Sequence, residues 1–282
     1  VDGLGEVAMG EKTAISWCDH TFNLWWGCAH ADRLMGPSLT TAPECDNCYA
    51  EAFDKRLGGN HWGYGSPRRF FGEKYWAKLE KWNHDALLAC ERRSVFVSSM
   101  SDIGEIHPDP VVMAEMDAAR SRFFEVAKQL DCLDFLLLTK RPENLAEMLP
   151  WQFDLPPSNI WLGTTCGARS SLWRIRELRR VPAAHRFVSV EPLLEHITTE
   201  EWIAALRSDN PEEDGMEWMI VGHENAPKSK IRTAEYEWVK DAQVAALACN
   251  MKFHFKQWHD GKKVVHLPML DGRQWTATPN RD

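Results

Sequence analysis

I-W-L-G-T-T at 160–165, followed at 171–180 by S-L-W-R-I-R-E-L-R-R, is one beat of the rhythm that decides the fold. A short apolar, β-branched run leads into a helical segment, and the same alternation extends in both directions. Upstream lie S-V-F-V-S-S at 94–99 with a helix predicted over 111–130, then F-L-L-L-T at 135–139 with a short helix from Glu143. Downstream, H-R-F-V-S-V-E at 185–191 leads to E-E-W-I-A-A-L-R. W-M-I-V-G at 218–222 leads to a helix with Thr233 as its expected N-cap and Glu235 and Glu237 in its first turn, where the dipole favours acids. K-F-H-F-K-Q-W at 252–258 is the last run. Near-continuous apolar strands alternating with helices predict a parallel sheet covered by helices. About six such units predict an α/β fold, a partial (β/α) barrel of the TIM type.

A barrel of this kind carries its functional groups just after its strands. Those positions hold Ser98, Ser99 and Asp102, then Thr139, Lys140 and Arg141, then Thr164 and Thr165. They continue with Glu191, with His223 and Glu224, and with Lys256 and Trp258. Ahead of them, Ala14–Trp17 is a candidate first strand, and the stretch 25–49 brings Cys28, Cys45 and Cys48 onto the same rim before a helix predicted over 49–57. Cys45-x-x-Cys48 has the bite of a metal-binding pair, while Cys28 must join it across sixteen residues rich in turn formers. Three thiolates can hold three irons of a [4Fe–4S] cluster and leave the fourth open to a small ligand. The same residues also fit structural zinc, with Cys18 or His30 as fourth ligand, or unligated thiols. Residues 60–93 are irregular apart from a helical piece near 74–82.

The remaining groups have plainer readings. Cys90, Cys132 and Cys249 fall in or beside helical runs, as buried small hydrophobes do, whereas Cys166 follows a strand onto the rim. Lys140 and Arg141 form either a clamp for a carboxylate or phosphate or an ion pair at the barrel end. Glu191, directly before Pro192, needs a partner if it points into the barrel mouth. Arg169, Arg176 and Arg180 share a helix face with Trp173 and read as a solvated outer surface.

Composition limits the function classes. At 282 residues, 44% hydrophobic and 26% charged, the chain is an ordinary globular protein of barrel size. It lacks an apolar run of about eighteen residues and a basic-then-apolar leader, so no membrane span or signal peptide is expected. Eight irregularly spaced cysteines fit a reduced, intracellular protein. A net charge of −8 argues against non-specific coating of nucleic acid. Locally, six arginines over 169–186 face one acid, and six basic residues over 251–282 face three acids. The C-terminal segment, with Trp258 and Trp275 among its cations, is the better nucleic-acid candidate of the two. Residues 1–12 are expected to be disordered or foreign to the native chain, with Met9 a suitable start. Residues 13–258 are expected to form the barrel, and 259–282 a basic extension.

In order along the chain stand T-F-N-L-W-W-G-C, C-D-N-C-Y-A-E, V-S-S-M-S-D, L-L-T-K-R-P-E, F-V-S-V-E-P-L-L, I-V-G-H-E-N and F-H-F-K-Q-W. Together they resemble a phage and prophage family related to radical S-adenosylmethionine enzymes, over about 13–258. The resemblance implies a [4Fe–4S] cluster on Cys28, Cys45 and Cys48, with S-adenosylmethionine chelating the open iron and a one-electron reductant driving its cleavage. Tyr49, Ser98, Ser99, Asp102, Thr139 and Glu191 then become candidates for the cofactor. Lys140, Glu191 and His223 become candidates for catalysis, and Lys140, Arg141, His223, Glu224, Lys256 and Trp258 for the substrate. Relatives of this kind resemble enzymes of DNA thymidine hypermodification, which implies isomerisation of a glycinyl-thymidine from a nitrogen-linked to a carbon-linked glycine. The setting would be the cytoplasm of a phage-infected bacterium. Two other readings stay open: radical repair or modification of another nucleobase, and a zinc-stabilised nucleic-acid-binding module without catalysis. Three departures stand out: the long gap after Cys28; Asn47 before the last cysteine, where an aromatic residue is usual, with Tyr49 after it; and Asn23-Leu24 and Gly222-His-Glu-Asn-Ala226 where relatives carry Asn-Pro and G-G-E-S-G. The last points to a specialised substrate site.

Overall fold

The structure is a computed structural model that describes residues 13–31, 41–151, 155–208, 215–224, 230–260 and 263–278. In chain order its first elements are β1 (His20–Phe22), β2 (Trp25–Trp26), α1 (Tyr49–Arg56), β3 (Arg69–Phe70), α2 (Glu73–Ala89) and β4 (Arg93–Val97). Next come α3 (Pro110–Ala127), β5 (Leu133–Thr139), α4 (Leu145–Met148), β6 (Ile160–Thr165), α5 (Trp173–Arg179) and β7 (His185–Val190). The chain closes with α6 (Thr199–Leu206), β8 (Trp218–Gly222), α7 (Tyr236–Ala248), β9 (Lys252–His259), β10 (Val264–His266), β11 (Met269–Leu270) and β12 (Arg273–Gln274).

One eight-stranded sheet runs β1-β4-β5-β6-β7-β8-β9-β10. Every neighbouring pair from β1 to β9 is parallel, and β10 returns antiparallel along β9. This is the predicted partial barrel. It has one more parallel strand than the rhythm shows, because β1 is only three residues long and too short to carry a period. The segment predicted as a strand at Ala14–Trp17 is not one. Trp17 instead enters the barrel interior and packs on Phe96, Phe187 and Trp218 at centroid distances of 4.7, 6.4 and 6.1 Å. The C-terminal extension adds β10 to the sheet edge and forms the hairpin β11–β12. Among the described residues no helix is long and apolar enough to cross a membrane.

Alternation along each strand sorts the core into two layers. Val95, Val97, Phe135, Leu137, Ile160, Leu162, Val188, Val190, Met219 and Val221 face the helices in one large cluster. Phe96, Leu136, Trp161, Phe187, Trp218 and Ile220 fill the interior around Trp17. Gly163 is part of that fit, since a Cβ there would lie 2.2 Å from Cζ of Phe187. Asp109 caps α3 by accepting from the Val111 amide at 2.8 Å, and Thr198 with Glu201 makes a capping box on α6. Thr233 does not cap α7. That helix begins at Tyr236, because Glu224 accepts from the Arg232 amide at 2.9 Å and holds the preceding chain to the rim. The three cysteines expected to be buried are not: Cys90 is exposed, and Cys132 and Cys249 are half-buried. Cys90 ends α2 in a left-handed conformation with φ 53°, which turns it out to solvent. Arg169, Arg176 and Arg180 do form a solvated face, and each meets a carboxylate, Glu201 or Glu177.

Beneath the site, the His254 ring bonds the Ser16 hydroxyl at 2.8 Å and is 1% exposed. Burial pushes its pKa down to about 4. The ring is therefore neutral in the folded protein, and acid favours the unfolded chain. Stability is fully present above the unfolded value near 6.5 and drains away as pH falls toward 4, by up to about 3 kcal/mol. Urea unfolding at pH 7 and pH 4 checks this, with His254→Gln expected to flatten the difference.

Candidate active site

The C-terminal ends of β4 to β9 open into a cavity of about 260 Å³, and Cys28, Cys45 and Cys48 all line it. Each stretch of the cysteine loop is fastened separately. Gly27 turns with φ 114° and passes so close to His61 that a Cβ would lie 2.4 Å from the His61 carbonyl oxygen. After Cys28, the Ala29 amide donates to Glu105 at 2.6 Å, and Arg141 donates to the Ala29 carbonyl. The Ala42 amide donates to the Ala31 carbonyl at 2.8 Å, so the long gap after Cys28 is closed at its base.

Glu44, directly before Cys45, accepts from the Gly167 amide at 3.0 Å and from the Ser171 hydroxyl, and lies 3.4 Å from fully enclosed Arg174. Burial raises the Glu44 carboxyl, but Arg174, Ser171 and Gly167 together hold it below the usual carboxylate range. Between the last two cysteines, Asn47 donates to Glu224 at 3.2 Å. Arg232 joins Glu224 to the Pro43 carbonyl at 2.9 Å and Asp46 at 3.2 Å. Burial, then Glu105, pushes the Cys28 thiol up, with Arg141 pulling against them; burial also raises Cys45. The Tyr49 hydroxyl donates to the Ser99 carbonyl at 2.8 Å, tying α1 to the end of β4.

The predicted rim residues divide by whether their polar atoms are spoken for. Asp102 accepts from the Gly104 amide at 2.9 Å, the Lys140 amide at 3.0 Å, Arg141 at 2.9 Å and the Thr139 hydroxyl. Burial works to raise its pKa, yet Arg141, Thr139 and Lys140 hold it low. Asp102, Thr139 and Arg141 therefore form a fixed bracket that aims the Lys140 backbone. Glu191 has a partner within the fold, Lys256, at 2.6 and 2.7 Å. That pair lines the cavity wall over Gly222, where a Cβ would press on the Glu191 carboxyl at 3.1 Å.

Other rim groups are left open. Among the described residues the Lys140 ammonium makes no hydrogen bond or ion pair, although it lines the cavity. Burial opposes its charge, but Cys45, Cys48, Asp102 and Glu44 raise its pKa above the ordinary value. The buried hydroxyls of Ser98, Ser101 and Thr165 have no partner among the described residues and line the same space. Buried polar groups are normally satisfied, so three bare hydroxyls and one bare cation in a cavity mark where a polar guest belongs.

His223 and Trp258 are not brought to the cavity. Gly222 takes the inward position, and His223 turns outward, its ring bonding the Arg232 carbonyl at 2.7 Å and receiving the His259 amide at 3.3 Å. Trp258 packs against it, 4.7 Å away, as part of the helix-side core. Glu224 lines the cavity with its carboxylate committed to Arg232. Trp17, Glu44, Glu105, Arg68 and Ser101 were not singled out by the sequence. Only Ser101, inside V-S-S-M-S-D, lies within a rim motif that the strand pattern marks. Among the described residues no three His, Cys, Asp or Glu side chains close on a single point to chelate an ion. The donor set still fits a cluster on its chemistry: three thiols face one cavity, and its bare hydroxyls await a polar ligand.

The model of one protein family, described as "Protein of unknown function (DUF5131)", matches residues 12–279. No curated protein matches the chain. Among solved structures, a cysteine-to-serine mutant of spore photoproduct lyase is similar at 14% identity, over 77% of this chain and 59% of that one, with a TM-score of 0.48. A double mutant of spore photoproduct lyase with bound AdoMet and dinucleoside spore photoproduct is similar at 13% identity, over 86% and 64%, again with a TM-score of 0.48. The chain thus spans less than two thirds of the length of those structures.

Proposed function

The chain belongs to that family of unknown function, and we propose that it is a radical S-adenosylmethionine enzyme that modifies a base in DNA. The observation that carries the reading is that one rim cavity is shared by Cys28, Cys45, Cys48, by Lys140, whose ammonium has no partner among the described residues, and by the equally bare hydroxyls of Ser98, Ser101 and Thr165. A [4Fe–4S] cluster with S-adenosylmethionine supplies, when bound, a one-electron cleavage that removes a substrate hydrogen.

The three cysteines would hold the cluster. Ser98 and Ser101 would donate to or accept from the methionyl and ribose groups, with Ser99 and Tyr49 shaping the same wall. Asp102, Thr139 and Arg141 would act through position, since their polar atoms are already engaged. The Glu191–Lys256 pair would present a neutralised wall, and Trp17 and Phe96 would exclude water from below.

The finer reading is isomerisation of glycinyl-thymidine on phage DNA in a bacterial cytoplasm, with a one-electron reductant as partner. It rests on the resemblance in the motif series, with Lys140 as the cation for the glycyl carboxylate. Replacing Lys140 by methionine keeps the length and removes the charge. Turnover of glycinyl-thymidine DNA is expected to fall about 10- to 100-fold, the worth of a charge-assisted hydrogen bond. Deoxyadenosine formation without DNA should persist, and unchanged DNA turnover would remove Lys140 from the substrate side. The reading as a whole is tested by anaerobic reconstitution with iron and sulfide quantified, then a dithionite assay for deoxyadenosine. About four irons per chain with deoxyadenosine formed supports it. One tightly held zinc and no cleavage refutes it.

A further inference from the structure

The turn between α1 and β3 runs past the cavity mouth. Trp62 lines the cavity, and its neighbour Gly63 donates its amide to the Cys28 carbonyl at 3.0 Å. Two residues on, Tyr64 is 83% exposed at the tip of Gly63-Tyr64-Gly65. Both glycines are left-handed, with φ 121° and 75°, so the backbone is bent to hold the tyrosine outward.

This tip is built rigidly from below. Buried Arg68 donates to the carbonyls of His61 at 3.0 Å and Gly63 at 3.3 Å, and to that of Ser66. His107 bonds the Ser66 carbonyl at 3.0 Å, and the Ser66 hydroxyl closes the turn on the Trp62 carbonyl at 2.8 Å. A large aromatic ring held in water on so braced a support gains nothing from the fold.

Trp62, at the base of this turn, also belongs to a small aromatic cluster with Trp26, Phe53 and Phe71. Arg56 sits over the Phe53 ring at 5.0 Å, and Arg69 over Trp26 and Phe71 at 6.0 and 5.9 Å. Both arginines are exposed, and neither has a carboxylate partner among the described residues. The basic stretch over 169–186 offers no such freedom. Arg174, Arg179 and Arg186 are buried on backbone carbonyls, and Arg169, Arg176 and Arg180 are paired.

We infer that Tyr64, with Arg56 and Arg69, is the DNA-binding edge of the cavity. Tyr64 stacks on the base flanking the one that enters, and the two guanidinium groups take its phosphates. The inference rests on DNA being the substrate and names how the strand is held. With a net charge of −8 the protein cannot rely on bulk attraction, and stacking supplies affinity that charge does not. A base entering the cavity must leave its stack, and an exposed ring two residues from cavity-lining Trp62 would offer the neighbour it leaves behind a new face.

The test uses the full chain and a fluorescein-labelled single-stranded thymidine-containing oligonucleotide, with binding followed by anisotropy. Tyr64→Ala is expected to weaken binding on the order of tenfold. Tyr64→Phe should bind as wild type, because stacking needs the ring and not the hydroxyl. Arg56→Gln with Arg69→Gln should lower the slope of log affinity against log salt by about 0.7 per charge. Unchanged melting temperatures show that the fold is intact. Wild-type affinity in Tyr64→Ala, or equal losses in the alanine and phenylalanine variants, overturns the inference. If the protein makes deoxyadenosine but binds no DNA, this edge is wrong and the radical chemistry stands. If it binds DNA through Tyr64 but makes no deoxyadenosine, the edge stands and the radical reading fails.

Discussion

Deoxyadenosine formation is expected to drop to the level of a cluster-free blank in Cys28→Ala, and equally in Cys45→Ala or Cys48→Ala. The three thiols lie on one cavity but are held by three independent devices: Glu105 with Arg141, Glu44 with Arg174, and Glu224 with Arg232. Loss of one thiol therefore leaves the other two in place and removes one iron ligand rather than the loop. Iron bound after reconstitution should fall well below about four per chain. Cys90→Ala and Cys132→Ala are the controls, since those residues lie outside the cavity lining and should retain both iron and activity. Full iron content and cleavage in Cys28→Ala would remove it from the ligand set and leave the long-gap assignment without support.

The largest effect on stability is expected from Glu105. Its carboxylate accepts from Arg68 at 2.6 Å with both side chains essentially excluded from solvent, at 0% and 1% exposure. The same oxygen accepts from the Ala29 amide at 2.6 Å. Glu105→Ala leaves the Arg68 charge buried and unpaired and frees the amide after Cys28. Breaking such a pair on one side costs about 3–5 kcal/mol. In a chain of this size that lowers the melting temperature by roughly 10 °C. Replacing the pair together, with Arg68→Met and Glu105→Leu, should recover only part of the loss: both desolvated charges are gone, but the carbonyls of His61, Gly63 and Ser66 and the Ala29 amide lose their partners. Urea unfolding decides it, and a loss under about 1 kcal/mol in Glu105→Ala would show that water reaches the pair. The same variant should bind iron less tightly, since the Ala29 anchor is lost.

What the sequence determined by itself is what depends on near neighbours. Alternation of period two within a strand, and its switch to helical spacing, are local properties of the chain. Runs such as 160–165 and 218–222 thus announce β6 and β8 with their bounds, and the parallel sheet follows from them. The pair Cys45 and Cys48 and the order of rim motifs were legible for the same reason. So was Lys140, one step past a readable strand.

Failure came where a residue's fate is set by a partner far along the chain. Glu44 reads as an ordinary acid until Ser171, 127 positions away, meets it, and Asn47 and Glu224 join across 177. Whether Asp102 is a ligand or a bracket depends on Arg141, and whether Glu191 is free depends on Lys256. Trp17 looked like a strand residue because its interior neighbours, Phe187 and Trp218, are distant in sequence. His223 and Trp258 looked like rim groups, yet the inward place went to Gly222, and both were turned into the helix-side core. The tertiary structure alone decided which polar atoms on the rim are satisfied and which are bare. A buried polar group must find a partner, and only the folded chain brings the candidates within reach.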